Sequence, residues 1–291
     1  MALTRLRAIT AHFLRQPHPI PSRAASTIVH NDNIACCTVP PVSSSYEPKG
    51  SFIPYAGFNR VYAVGPINAP VAIICIYDIF GFKPQTQQGA DMLSVALDAR
   101  VVMPDFFEPS APWDTSRHPP KTKEDQEAFQ AFFVGPANPG AAVEKLERVA
   151  RALRVDGAKH VGAYGLCWGG KVAALAGGKE TPLSAIGTAH PAMLKADDTT
   201  SLSIPLAIYV SKDEPQDEYT KILDILKTKS FADKTDSKFH GWAGARANLN
   251  DPENRRLQAS AATSSSLSLT SPSRFNDVYR RFAEFFKRNL V

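Results

Sequence analysis

Among the side chains able to do chemistry, Cys167 has the most specific setting. It lies in Gly165-Leu166-Cys167-Trp168-Gly169-Gly170, after the strand-like run His160 to Tyr164 and before a stretch of small residues suited to a helix. Glycines two before and two after the cysteine let a sharp strand-to-helix turn form without Cβ clashes, and such a turn lifts the central side chain above the sheet as a nucleophile. A thiol at that point sits at a helix N-terminus, where the macrodipole and unsatisfied amides favour the reactive thiolate. The chemistry this predicts is covalent attack on an acyl carbon. A buried structural cysteine is the plainer alternative, and the complete G-x-C-x-G setting argues against it.

A nucleophile on such an elbow needs an acid and a base, which follow it along the chain in the order nucleophile, acid, base. Ile204 to Val210 is a compact apolar run suited to a buried parallel strand, and Ser211-Lys212-Asp213-Glu214-Pro215 leaves its C-terminal end. Asp213 is the expected acid. Glu214 and Asp217 are rivals, but they run into a polar helix, and solvated surface is the role expected of them. Thr235 to Phe239 reads as a last short strand ending in His240-Gly241-Trp242, which makes His240 the expected base. His190, in Ala189-His190-Pro191-Ala192-Met193, also follows a strand, yet it precedes Asp213 and breaks the order.

The elements that must position these residues alternate strand and helix. Phe52 to Val64 reads as an antiparallel entry pair and Val71 to Tyr77 as the first deeply buried strand. Gln85 to Ala99 has the spacing of an amphipathic helix, and Arg100 to Met103 is the next strand. A Pro-rich loop with Trp113 follows, then helices over Glu124 to Phe133 and Ala141 to Leu153. This alternation predicts an α/β fold with a mostly parallel central sheet, helices on both faces, and a site at the carboxyl ends of the strands. Every candidate falls at such an end.

Together these pieces resemble the dienelactone hydrolases, also called carboxymethylenebutenolidases, of the α/β-hydrolase superfamily, and most of all their fungal branch. The matching motifs are Cys36-Cys37, Ile76-Tyr77-Asp78-Ile79-Phe80-Gly81-Phe82, Val102 to Phe107, the elbow, His190-Pro191-Ala192-Met193, Ser211 to Pro215 and His240-Gly241-Trp242. The resemblance implies a Cys-Asp-His triad of Cys167, Asp213 and His240. It also implies an oxyanion hole from the backbone amides of Ile79 and Trp168, no cofactor and no metal. An activated ester or lactone is the implied substrate, opened through a thioester acyl-enzyme. A non-hydrolytic thiol protein on the same fold, sensing oxidants or binding electrophiles through Cys167, is the alternative.

Two departures from the bacterial pattern bear on mechanism. Bacterial members carry a glutamate at the position of Asp78, thought to interact with the resting thiol. The shorter Asp78 either gates the cysteine or orders the loop that presents the Ile79 amide. Bacterial members also hold the lactone carboxylate with arginines, and Arg246 is the one counterpart placed here, with a different spacing from the histidine. It is a substrate-binding candidate with a surface ion pair as its equal alternative. The substrate is left open, as is the oligomeric state.

At 291 residues with 44% hydrophobic content, one large core is feasible. The net charge of +5 gathers partly at the N-terminus, with no basic stripe interleaved with aromatics, which weakens a nucleic-acid reading. Four cysteines show neither a disulfide framework nor a metal knuckle, and no apolar run is long enough to span a bilayer. Residues 1–34 form an N-terminal extension: Met1 to His30 contains no acidic residue, while Arg5, Arg7, Arg15 and Arg23 recur among Leu, Ile and Phe. That is the composition of a mitochondrial transit peptide, with a cytoplasmic extension as the alternative. Residues 35–291 are expected to form a single domain. Within it, Leu257 to Ser273 is a Ser, Ala, Thr and Leu stretch without period, read as a flexible insertion or a gene-model artefact before a last helix over Phe275 to Arg288.

Overall fold

The computed structural model of the chain describes residues 46–210, 214–239 and 272–291. The strands are β1 (Ser51–Tyr55), β2 (Phe58–Val64), β3 (Val71–Ile76), β4 (Arg100–Pro104), β5 (His160–Leu166), β6 (Ala185–Ala189), β7 (Leu206–Val210) and β8 (Asp236–Phe239). β3 has no polar side chain able to ionise except the Cys75 thiol, and every residue in it is buried. A continuous apolar run is what a strand covered on both faces requires. β3 pairs in parallel with β4 and β5, and the sheet continues in parallel through β6, β7 and β8. β1 and β2 close the other edge as the expected antiparallel pair, giving the order β1-β2-β4-β3-β5-β6-β7-β8.

The helices are α1 (Pro84–Leu97), α2 (Lys123–Val134), α3 (Pro139–Val155), α4 (Trp168–Ala176), α5 (Asp197–Thr200), α6 (Gln216–Lys227) and α7 (Pro272–Leu290). Local chemistry sets their starts. Proline stands in the first turn of α1 and α3, where its missing amide costs nothing. Thr122 caps α2 by accepting the Asp125 N–H at 3.0 Å, and Asn138 caps α3 by accepting the Ala141 N–H at 3.1 Å. Two positions in β5 show that both faces of the sheet are covered. A Cβ on Gly162 would meet Phe286 of α7, whereas one on Gly165 would meet the backbone of α4. Three residues apart on one strand, they point to opposite sides. The fold is that of an α/β-hydrolase. On the α7 side the rings of Tyr164 and Tyr209 meet Phe282 at 5.3 and 5.1 Å, which fixes the C-terminal helix across the centre of the sheet.

Several boundaries differ from expectation by a few residues, and two of the shifts are informative. β7 starts at Leu206, because Pro205 has no amide to offer the ladder, although its carbonyl still accepts the Ile186 N–H at 3.0 Å. α7 starts at Pro272, so the last two residues of the stretch 257–273 belong to a helix. The rest of that stretch lies outside the described residues, as do the N-terminal extension, Cys36 and Cys37.

Candidate active site

Cys167 joins β5 to α4 with φ 53° and ψ −118°, a conformation that a residue with a side chain rarely holds. The flanking glycines make the turn possible. A Cβ on Gly165 would lie 1.9 Å from the Gly169 carbonyl oxygen, and one on Gly169 would lie 2.3 Å from the Ile76 carbonyl oxygen. The elbow thus packs directly on the end of β3. Its backbone is also bound sideways: the Cys167 N–H donates to Ala189 O at 3.2 Å, and the Cys167 carbonyl accepts from Ala192 N–H at 3.0 Å.

β3 and β5 are neighbours with Ile76 opposite Gly165, so the loops that follow them lie side by side. Those loops hold the two expected oxyanion amides. Trp168 opens α4, and the first amides of a helix have no intrahelical acceptor. Its indole is fixed by a hydrogen bond to Ala137 O at 2.8 Å and by the Phe107 ring at 4.9 Å. Around Ile79 the loop is held from both sides. Asp78 Oδ1 accepts the Phe80 N–H at 2.9 Å, the Asp78 carbonyl accepts the Gly81 N–H at 3.3 Å, and the Ile79 carbonyl accepts the Trp113 N–H at 2.9 Å. The Asp78 carboxylate is thus bonded within this loop. Burial pushes its carboxyl up to about 6, against the opposing pull of the Phe80 N–H and the Lys83 ammonium.

The strands that deliver the other candidates end level with the elbow. Leu166 is opposite Ala189, Ala189 opposite Tyr209, and Tyr209 opposite Lys238. Asp213, His240 and Arg246 themselves lie outside the described residues. His190 is described, directly after β6, with φ 40° and its N–H donated to Tyr209 O at 2.7 Å. Burial lowers its imidazole to about 4, far from the pKa a general base needs at neutral pH. Glu214 corrects the sequence reading: it is only 4% exposed, not solvated, because it is packed close to Tyr219. Asp217, one turn on, is exposed as expected.

Two residues that sequence reasoning passed over lie behind the elbow. Lys171 is 6% exposed and Tyr219 is 1% exposed, and both bond to the loop after His190. A lysine inside the otherwise apolar Trp168–Ala176 helix was the available signal for the first. Among the described residues no cluster of His, Cys, Asp or Glu could hold a metal ion, and no helix is long and apolar enough to cross a membrane.

The sequence pattern of the dienelactone hydrolase family matches residues 60–290. An AIM2 family protein of Schizosaccharomyces pombe is 32% identical over 253 residues, covering 84% of this chain and 93% of its own. A carboxymethylenebutenolidase homolog of Mus musculus is 33% identical over 109 residues, 37% of this chain and 41% of its own. In three dimensions, a dienelactone hydrolase from Anabaena variabilis superposes with a TM-score of 0.55 at 14% identity, covering 85% of this chain and 100% of that one. That likeness is one of fold, whereas the sequence match extends over most of the chain. The chain belongs to the dienelactone hydrolase family, and is a hydrolase of ester or lactone type.

Proposed function

We propose that Cys167 is the nucleophile of this hydrolase, with Asp213 and His240 completing its triad. His240, oriented by Asp213, takes the thiol proton as sulfur attacks the ester or lactone carbonyl. The amides of Ile79 and Trp168 hold the developing oxyanion, and the leaving oxygen departs with the proton from His240. Water activated by His240 then opens the thioester and restores the thiol. The observation that carries this reading is the strained conformation of Cys167 at the head of α4, on an elbow that packs against the end of β3. The low basicity of His190 supports placing the base elsewhere. An enol lactone suits the site chemically, because its leaving group is a stabilised enolate that needs little acid assistance. Arg246 is the candidate to hold a substrate carboxylate.

Cys167→Ala is expected to lower turnover of an activated nitrophenyl ester by about 10³-fold or more while leaving the melting temperature near that of the parent. Mass spectrometry of a rapidly quenched reaction should show the acyl group on the peptide containing Cys167. Parent-like turnover in Cys167→Ala would exclude the triad. The acid-free, arginine-bearing N-terminus supports import into mitochondria. A reporter carrying residues 1–34 that stays in the cytosol would overturn that assignment.

A further inference from the structure

Strained backbone persists only where its surroundings over-determine it. For Cys167 those surroundings include the loop from Ala189 to Asp198, which binds the cysteine at both its amide and its carbonyl. The loop is itself in unfavourable backbone, with His190 at φ 40° and Met193 at φ 60°. Two buried side chains bond to this segment. Lys171 Nζ donates to Met193 O at 3.0 Å and pairs with Asp198 Oδ2 at 2.8 Å, and the same carboxylate oxygen accepts the Lys195 N–H at 2.8 Å. Tyr219 Oη donates to Pro191 O at 2.8 Å.

We propose that Lys171 and Tyr219 are positioning residues for the nucleophile, clamping the loop that pins the Cys167 backbone. The proposal rests on Cys167 being the nucleophile. Lys171 stands one helical turn after Cys167 on the same helix, so its ammonium ties the loop to the element that carries the thiol. An ammonium has three donors and can satisfy a carbonyl and a carboxylate at once. A side chain of equal length without charge would fill the space and hold neither. Tyr219 reaches the loop from α6, on its other side, one residue after Glu218, whose carboxylate accepts the Ala196 N–H at 2.7 Å. The loop is thus tied to two separate helices.

The test uses the full chain with Lys171→Met, Lys171→Arg and Tyr219→Phe. It measures kcat and KM on a nitrophenyl ester, per folded molecule by circular dichroism, and the rate of iodoacetamide labelling of Cys167 against pH. Lys171→Met and Tyr219→Phe are expected to lose about 10-fold or more in kcat with KM little changed, since small misplacements of a reacting group are costly. Lys171→Arg, which keeps the charge and several donors, should recover a large part, and the labelling profile should shift in the first two variants only. Parent-like kcat per folded molecule in Tyr219→Phe, which removes one hydroxyl and folds whether or not Lys171→Met does, would overturn the proposal. Turnover surviving in Cys167→Ala would instead reject the nucleophile assignment, so the two failures are distinct.

Discussion

Replacing Asp78 with asparagine probes both the stability and the chemistry of the loop beside the nucleophile. Burial raises the Asp78 carboxyl from 3.8 to about 6. Between those values the unfolded chain has given up a proton that the folded protein still holds, so the stability this group contributes is complete below about pH 4 and lost as pH rises through 6. At about 1.4 kcal/mol per pH unit, the ionised carboxylate costs the native state about 3 kcal/mol at pH 8. Asp78→Asn removes that cost and keeps an oxygen for the Phe80 N–H, while its amide hydrogens bring a desolvation cost of about 1 kcal/mol or more. That desolvation cost is the same at both pH values and cancels, and a small part of the 3 kcal/mol is already lost at pH 4, so the variant should gain about 2 kcal/mol relative to the parent between pH 4 and pH 8, read as the difference in urea-unfolding free energy at the two values. An effect of equal size at both pH values would refute the burial argument. The same variant separates the two roles open to the carboxylate. If Asp78 gates the thiol, the pH profile of iodoacetamide labelling at Cys167 moves, since a nearby negative charge raises a thiol's pKa. If it only orders the loop, the profile stays and turnover falls through a displaced Ile79 amide.

Other changes follow from packing. Gly165→Ala places a methyl 1.9 Å from the Gly169 oxygen, and should cost about 1–3 kcal/mol and most of the turnover, read by denaturation and ester assay. Phe282→Ala removes a fully buried ring from between Tyr164 and Tyr209, and should cost about 3–5 kcal/mol in urea unfolding. Deleting residues 257–271, which stops short of α7, should leave melting and turnover unchanged or slightly raised, because loop-closure cost changes slowly with length. A large loss of either would show that this segment packs over the site.

Much of this molecule could be read from the chain because the signals were local. The G-x-C-x-G turn, the unbroken apolar run of β3 and the helix periodicities each depend on residues within a few positions, and each element appeared within a few residues of its expected span. Chain order alone ranked His240 above His190, and desolvation, which lowers the His190 imidazole to about 4, supports that ranking on separate physical grounds. Other properties arose only when distant segments met. Glu214 belongs to a polar sequence, and it is buried because it packs close to Tyr219, five residues on. Lys171 drew no reading from the sequence, and its bonds to Met193 and Asp198 exist only once those residues are folded onto it. Asp78 could gate or order on sequence alone. Its bond to the Phe80 amide and its raised pKa appear only in the folded chain, because desolvation and hydrogen-bond geometry are properties of the packed fold and have no counterpart in the extended chain.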